Sequence, residues 1–249
     1  MKTLKYGLFT ALIALSAISC EDDPDPVVTT TTEEKASLHL HIDHKFNTDN
    51  FSLDQNFTLT SGEVVKFSTA QFYLGNYKLM DDAQQMTGFP DSYLLVDPTV
   101  SHQNIGEMDA KHYHMVMLNM GVDSTTNTDF QPIDFADSHA LAAQVNNMWW
   151  SWNAGYIFFK LEGEIDHDAD GTFDDVFEYH IGTNANRLDL QKMLHKDVAA
   201  GEMLELDLTV DYAKFFNGLD LSIDLQAHMG PPAIVASLKA NAALAFTLD

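Results

Sequence analysis

The chain has 249 residues, 37 Asp and Glu against 13 Lys and Arg, and a formal charge of −24. Hydrophobic residues make up 45% and aromatics 11%, a globular composition able to bury a sizeable core. The acidity excludes an electrostatic nucleic-acid binder and disfavours anionic membrane surfaces, and the single cysteine excludes an internal disulfide framework or a cysteine-built zinc site.

Residues 1–19, MKTLKYGLFTALIALSAIS, join a positive end (Lys2, Lys5) to an apolar run from Leu8 to Ile18. The run is short for a bilayer span and acids follow it, so it reads as a secretory signal peptide. Ala17-Ile18-Ser19 before Cys20 resembles a bacterial lipobox, which makes Cys20 the expected lipidation site. Each buried acyl CH₂ would contribute ~0.8 kcal/mol to anchoring. Loss of Lys2 and Lys5 with the leader removes two of the 13 bases and moves the charge from −24 to −26. Glu21-Asp22-Asp23 resembles the acidic export signal of Bacteroidetes-type surface lipoproteins. Residues 20–35 read as a lipidated acidic linker, rich in Pro, Thr and acids with little to bury, and residues 36–249 as the folded domain. The expected location is an outer-membrane lipoprotein, at the cell surface or facing the periplasm, held by its lipid alone.

Strands dominate the body. Ser37 to Lys45 alternates, with Leu38, Leu40 and Ile42 on one face and His39, His41 and Asp43 on the other. Glu63 to Met80, Tyr93 to Val96, Tyr113 to Met120, Gly155 to Gly163, Val176 to Gly182, Met203 to Val210 and Leu219 to Leu225 read as further strands. Short helical patches are expected at Ala140 to Val145, within Leu188 to Ala200, and at Tyr212 to Phe216 before Asn217-Gly218. Ala233 to Phe246 suits a helix or a strand, its alanines favouring helix. The pattern predicts an all-β fold, an antiparallel β-sandwich with a few short helices.

Three features carry chemistry. All three tryptophans, Trp149, Trp150 and Trp152, fall in one aromatic segment, and in an extended chain Trp150 and Trp152 share a face. Eleven histidines are many for a chain this short of cysteine, and imidazole suits borderline metals. His39 and His41 share a strand face about 7 Å apart. His180 stands at a strand end in EYHIG, and His228 stands beside Met229 in AHMGPP. His112 and His114 form a rival pair at the same spacing; His102, His139, His167 and His195 carry no special pattern. The third feature is DHDADGTFDD, where Asp166, Asp168 and Asp170 alternate before Gly171 and Asp174 follows. Such spacing supplies oxygens to Ca²⁺, although Phe177 stands where an EF-hand has its bidentate Glu. No nucleophile elbow, zincin helix or phosphate loop is present, so the chain reads as a binding protein rather than an enzyme.

Six blocks together resemble the methanobactin-partner (MbnP-like) family of bacterial copper-binding proteins: FYLGNYKL (72–79), YLLVD (93–97), NMGVDSTTN (119–127), MWWSWNAGYIFFKLEG (148–163), FEYHIG (177–182) and HMGPPAIVASLKANAALAF (228–246). The resemblance implies a single β-sandwich outside the cytoplasm that binds copper for uptake, storage or delivery. It implies two imidazoles and a kynurenine made from tryptophan by a di-haem peroxidase-like partner, and an outer-membrane transporter as a further partner. Carried onto this chain, the tryptophan is one of Trp149, Trp150 and Trp152, with Trp150 preferred, and the imidazoles come from His41, His180 and His228. The chain departs from many relatives in lacking their cysteine-rich motif. A contrasting expectation is a Ca²⁺-stabilised adhesion or glycan-binding module, using Asp166, Asp168, Asp170 and Asp174 for calcium and exposed tryptophans as a stacking platform.

Overall fold

The computed structural model describes residues 35–143, 147–150 and 154–249. The expected signal peptide and lipidation site at Cys20, Glu21-Asp22-Asp23 and Trp152 lie outside the described residues. Fourteen strands are present among the described residues: β1 (Ala36–Phe46), β2 (Asp49–Asn50), β3 (Asn56–Thr58), β4 (Val64–Met80), β5 (Met86–Gly88), β6 (Leu94–Val96), β7 (His102–Met108), β8 (His112–Met120), β9 (Ile157–Asp166), β10 (Asp175–Gly182), β11 (Leu188–Asp197), β12 (Met203–Asp211), β13 (Gln226–His228) and β14 (Phe246–Leu248). Two α-helices accompany them, α1 (Ser124–Asp129) and α2 (Pro232–Ala245).

They form an all-β sandwich of two sheets. The first runs β14-β12-β1-β2, with β7 also on β1; the second runs β11-β8-β4-β9-β10-β13, with β3, β5 and β6 on β4. Most neighbours are antiparallel, as expected, but β1–β12 and β10–β13 are parallel. Alternation decides which face meets the core. In β1 the odd-numbered histidines stay partly exposed while Leu38, Leu40 and Ile42 are buried. In β10, Phe177, Tyr179 and Ile181 are buried and Glu178 and His180 turn away. Both sets of apolar side chains enter one continuous core between the sheets. Aromatic rings make much of it: Phe67 of β4 meets Phe46 of β1 edge-on at 6.3 Å and Phe177 of β10 at 5.2 Å. Such pairs contribute about 0.5–1.5 kcal/mol each beyond their buried area.

Three local expectations are corrected. Leu188–Asp197 is a strand, not a helix, because it finds a ladder partner in β8, and tertiary pairing overrides a weak propensity. Residues 219–225 are turns rather than a strand. Asp220 accepts from Ser222 N at 3.1 Å, and its carbonyl accepts from Ile223 and Asp224, so a side-chain-capped turn wins over extension. At Ala140 the chain turns without forming a helix, and residues 144–146 lie outside the described residues. The terminal segment resolves to α2, opened by Pro232 at its first turn. Asn241 of this helix donates to the carbonyls of Phe215 and Asn217 at 2.9 and 2.8 Å, fixing it to the 3₁₀ turn at Tyr212–Phe216.

Candidate metal centre

The parallel pairing of β10 with β13 puts His180 directly beside His228. Their ring centroids are 4.4 Å apart with planes tilted by 32°. Both histidines sit on the outer face of the second sheet, because Tyr179 and Ala227, which pair with each other in the adjacent register, point inward. His180 is the better enclosed, with a side chain 15% exposed. Its Nε2 lies 2.7 Å from Glu162 Oε1 on the neighbouring strand β9.

Glu162 is itself held. Thr69 Oγ1 donates to its other oxygen at 2.8 Å, and Lys160 Nζ lies 3.2 Å from Oε1. Burial opposes ionisation of this carboxyl, but the hydrogen bonds from Thr69 and His180 and the Lys160 charge outweigh it and keep its pKa below the usual value. Burial pushes the pKa of His180 below the ordinary histidine value, and the opposing hydrogen bond to Glu162 does not offset it; His228 and Lys160 push the same way. His180 is therefore neutral at pH 7. A neutral ring that donates Nε2–H to a carboxylate carries its lone pair on Nδ1, the arrangement of a metal-ligating histidine oriented by an outer carboxylate.

The tryptophan segment folds back beside this pair. Trp150 N donates to Gly155 O at 3.0 Å, Ile157 N donates to Met148 O at 2.9 Å, and Trp149 bridges Tyr156. Two motif residues hold the fold-back. Gly155 has φ +76°, and a Cβ there would collide with Asn127, whose side chain accepts from Tyr156 N at 2.8 Å. Asn127 lies on α1, which Asp123 caps by accepting from the amides of Thr125 and Thr126. Trp150 is 7% exposed and its ring covers Gly182; a Cβ on Gly182 would lie 2.5 Å from Trp150 Cζ3. Gly182 is two residues beyond His180 on β10, just past a register shift against β9 between Ile181 and Gly182. The indole thus packs over β10 two residues past His180.

His41, expected to converge with His180 and His228, does not. It lies on the outer face of the first sheet, opposite Asp207 of β12 and His102 of β7. Its Nδ1 is 2.9 Å from Asp207 Oδ1, and its ring stacks on His102 at 4.4 Å and 16°. The alternation that buries Leu40 and Ile42 turns His41 away from the core and so away from the other sheet. His39 shares that outer face and bonds Ser37.

Sequence reading missed Glu162, Thr69 and Lys160, which no motif marks and which only strand register brings to His180. It also passed over His44, a core histidine bonded to Tyr212 Oη at 3.0 Å and to Val100 O at 2.9 Å; the strand alternation of β1 was the available signal.

In the acidic loop, Asp166, Asp168 and Asp174 are the group of three imidazole or carboxylate donors that lies within 4.8 Å among the described residues. Asp166 is 2% exposed and accepts from the amides of Asp170 and Gly171. Asp170 does not join the trio; its carboxylate accepts from Thr172 N at 2.7 Å. Of the tryptophans that the contrasting expectation needs exposed, Trp150 is buried, Trp149 is half-buried beside a cavity of about 370 Å³ lined by Tyr73, Phe135, Met148 and Tyr156, and Trp152 lies outside the described residues.

The model of the MbnP family matches residues 35–232. No curated protein matches the chain. Among solved structures the chain is similar to MbnP from Methylosinus trichosporium, with a TM-score of 0.55 and 13% identity over 81% of this chain and 87% of that one. At that identity the likeness is one of fold.

Proposed function

The chain belongs to the MbnP family, and on that premise we propose that it is a copper-binding lipoprotein held outside the cytoplasm, with the metal taken by His180 and His228 beside Trp150. The observation that carries this reading is the meeting of two imidazoles from distant segments at the strand end where the indole packs on Gly182. The donor set fits copper. His180 is kept neutral by burial and has Nδ1 to offer, His228 is its register partner, and Met229 adjoins as a polarisable neighbour. Glu162 acts as a positioning residue that fixes the tautomer of His180. Copper is cargo here, bound and passed on rather than turned over, so the protein is a carrier and not an enzyme.

Trp150 is the residue we assign to oxidation to kynurenine by a di-haem peroxidase-like partner, which would add an aryl amine to the two imidazoles. Cys20 is the assigned acylation site, and an outer-membrane transporter is the assigned route of traffic. The alternative of a calcium-stabilised adhesion module has the Asp166 loop in its favour and the burial of Trp150 against it.

The test is an anaerobic Cu(I) titration of metal-free protein against a competing chelator. We expect one tight equivalent, lost in His180→Ala and His228→Ala and kept in His41→Ala. Retention of that equivalent by both of the first two variants would overturn the assignment. Mass spectrometry of protein produced alongside the partner enzyme should show, at Trp150, the net exchange of one carbon for one oxygen that accompanies kynurenine formation. An unmodified Trp150 would remove the kynurenine step but not the imidazole pair.

A further inference from the structure

A second group of imidazoles lies on the far side of the same sheet system, at the β8–β11 edge. β8 pairs antiparallel with β11, and the register slips between Met193 and Lys196. Two residues of β11, Leu194 and His195, therefore face the single residue His114. His195 takes a left-handed conformation, φ 47°, which costs a non-glycine residue energy and turns its side chain out of the regular pleat. The result is a ring contact: His195 meets His114 edge-on at 4.4 Å and His112 at 6.4 Å.

Carboxylates complete the group. Asp197 pairs with His112 in register, and its Oδ1 is 2.8 Å from His112 Nδ1. A neutral His112 donating there carries its lone pair on Nε2. Asp82, from the turn between β4 and β5, puts Oδ1 at 3.8 Å from both His112 Nε2 and His114 Nδ1. Asp81 holds that turn by accepting from Ala83 and Gln85 amides and from Lys111 Nζ at 2.9 Å. Nitrogen and oxygen donors each about 2.0–2.2 Å from one ion stand up to about 4 Å apart; Asp82 Oδ1 meets that spacing with each of two rings, whereas no three donors of this group lie within 4.8 Å of one another, so the rings must turn to converge on an ion. The side chains of His112 and His114 are 30% and 31% exposed, and His195 is exposed, so the rings have solvent to turn into.

We propose that His112, His114, His195 and Asp82 form a second metal site, for a divalent first-row cation such as Zn²⁺, with Asp197 as its positioning residue. Three imidazoles and a carboxylate suit a borderline divalent ion better than Cu(I), whose preference runs to softer donors. The β-bulge is the built element: regular pairing would leave only the His112–His114 pair, and the slip supplies the third ring. The site shares no residue with His180, His228 or Trp150, so its fate is independent of the copper reading.

The experiment is a Zn²⁺ titration of the mature chain by calorimetry in the presence of a weak competing chelator, with histidine ring resonances followed by NMR. The wild type should take up one Zn²⁺ that shifts the rings of His112, His114 and His195 and not those of His180 and His228. The double variant His114→Gln, His195→Gln should lose that equivalent while His180→Ala keeps it. Asp197→Asn should keep the stoichiometry and bind about tenfold more weakly, as loss of an orienting outer partner does. The proposal is overturned if the wild-type resonances of these three rings do not move with Zn²⁺, a result that needs no variant to fold. It is equally overturned if the double variant binds with unchanged stoichiometry and affinity.

Discussion

Two histidine pairs, His180 with His228 and His41 with His102, have the same ring separation, 4.4 Å, and each lies on the outer face of one sheet. Their surroundings differ. His180 is enclosed, its Nε2 is tied to a carboxylate that Thr69 holds in place, and an indole packs on Gly182 two residues along its strand. His41 leans on Asp207, a carboxylate 55% exposed, and its partner ring His102 is 65% exposed. Proximity of imidazoles is a common product of cross-strand register. What distinguishes a built site is desolvation and a fixed second partner, which choose the tautomer and keep the ring neutral.

That contrast can be broken most severely by removing the rings. His180→Ala with His228→Ala should lower Cu(I) affinity by more than the roughly 10–100-fold that loss of an outer partner costs, whereas His41→Ala with His102→Ala should leave it unchanged. Equal losses in the two double variants, in competition titrations, would erase the distinction. Glu162→Gln comes next: the ring stays but its orienting anion goes, and affinity should fall by about tenfold with the fold retained. Gly182→Ala drives a methyl into the Trp150 ring and the Tyr156 carbonyl. Overpacking of this kind costs about 1–3 kcal/mol, read as a lower denaturation midpoint, and should come with a shift in tryptophan fluorescence.

A smaller effect sharpens the comparison through pH. Burial lowers the pKa of both His180 and His44 in the folded chain, although the Val100 carbonyl partly offsets it at His44. The unfolded chain therefore binds more protons than the folded one in the window just below the ordinary histidine value, and stability rises with pH there. Acidification through about pH 6.5 and below should destabilise the protein through these two groups. His180→Gln should flatten the pH dependence of the denaturation midpoint over that window.

Much of the fold was legible from alternation alone. The period of two in β1, β10 and β12 is a local property, since each residue's face follows from its neighbours in the chain. Leu188–Asp197 misled because a ten-residue segment carries too little periodic signal to separate helix from strand, and β8 made the choice. The parallel pairings were not legible, because strand order depends on which edges meet after the chain has travelled a long way.

By itself the sequence determined the alternating apolar faces, the acid excess, the tryptophan cluster and the motif blocks that identify the family, since these depend on residue type and short spacing. Only the tertiary structure decided that His228 belongs with His180 and His41 does not, that Glu162 is the partner of His180, and that a slipped register gathers His195 onto His114. The physical reason is that register and edge order bring together residues tens of positions apart through the hydrogen-bonded backbone and the shared core, and no spacing in the chain encodes that choice locally.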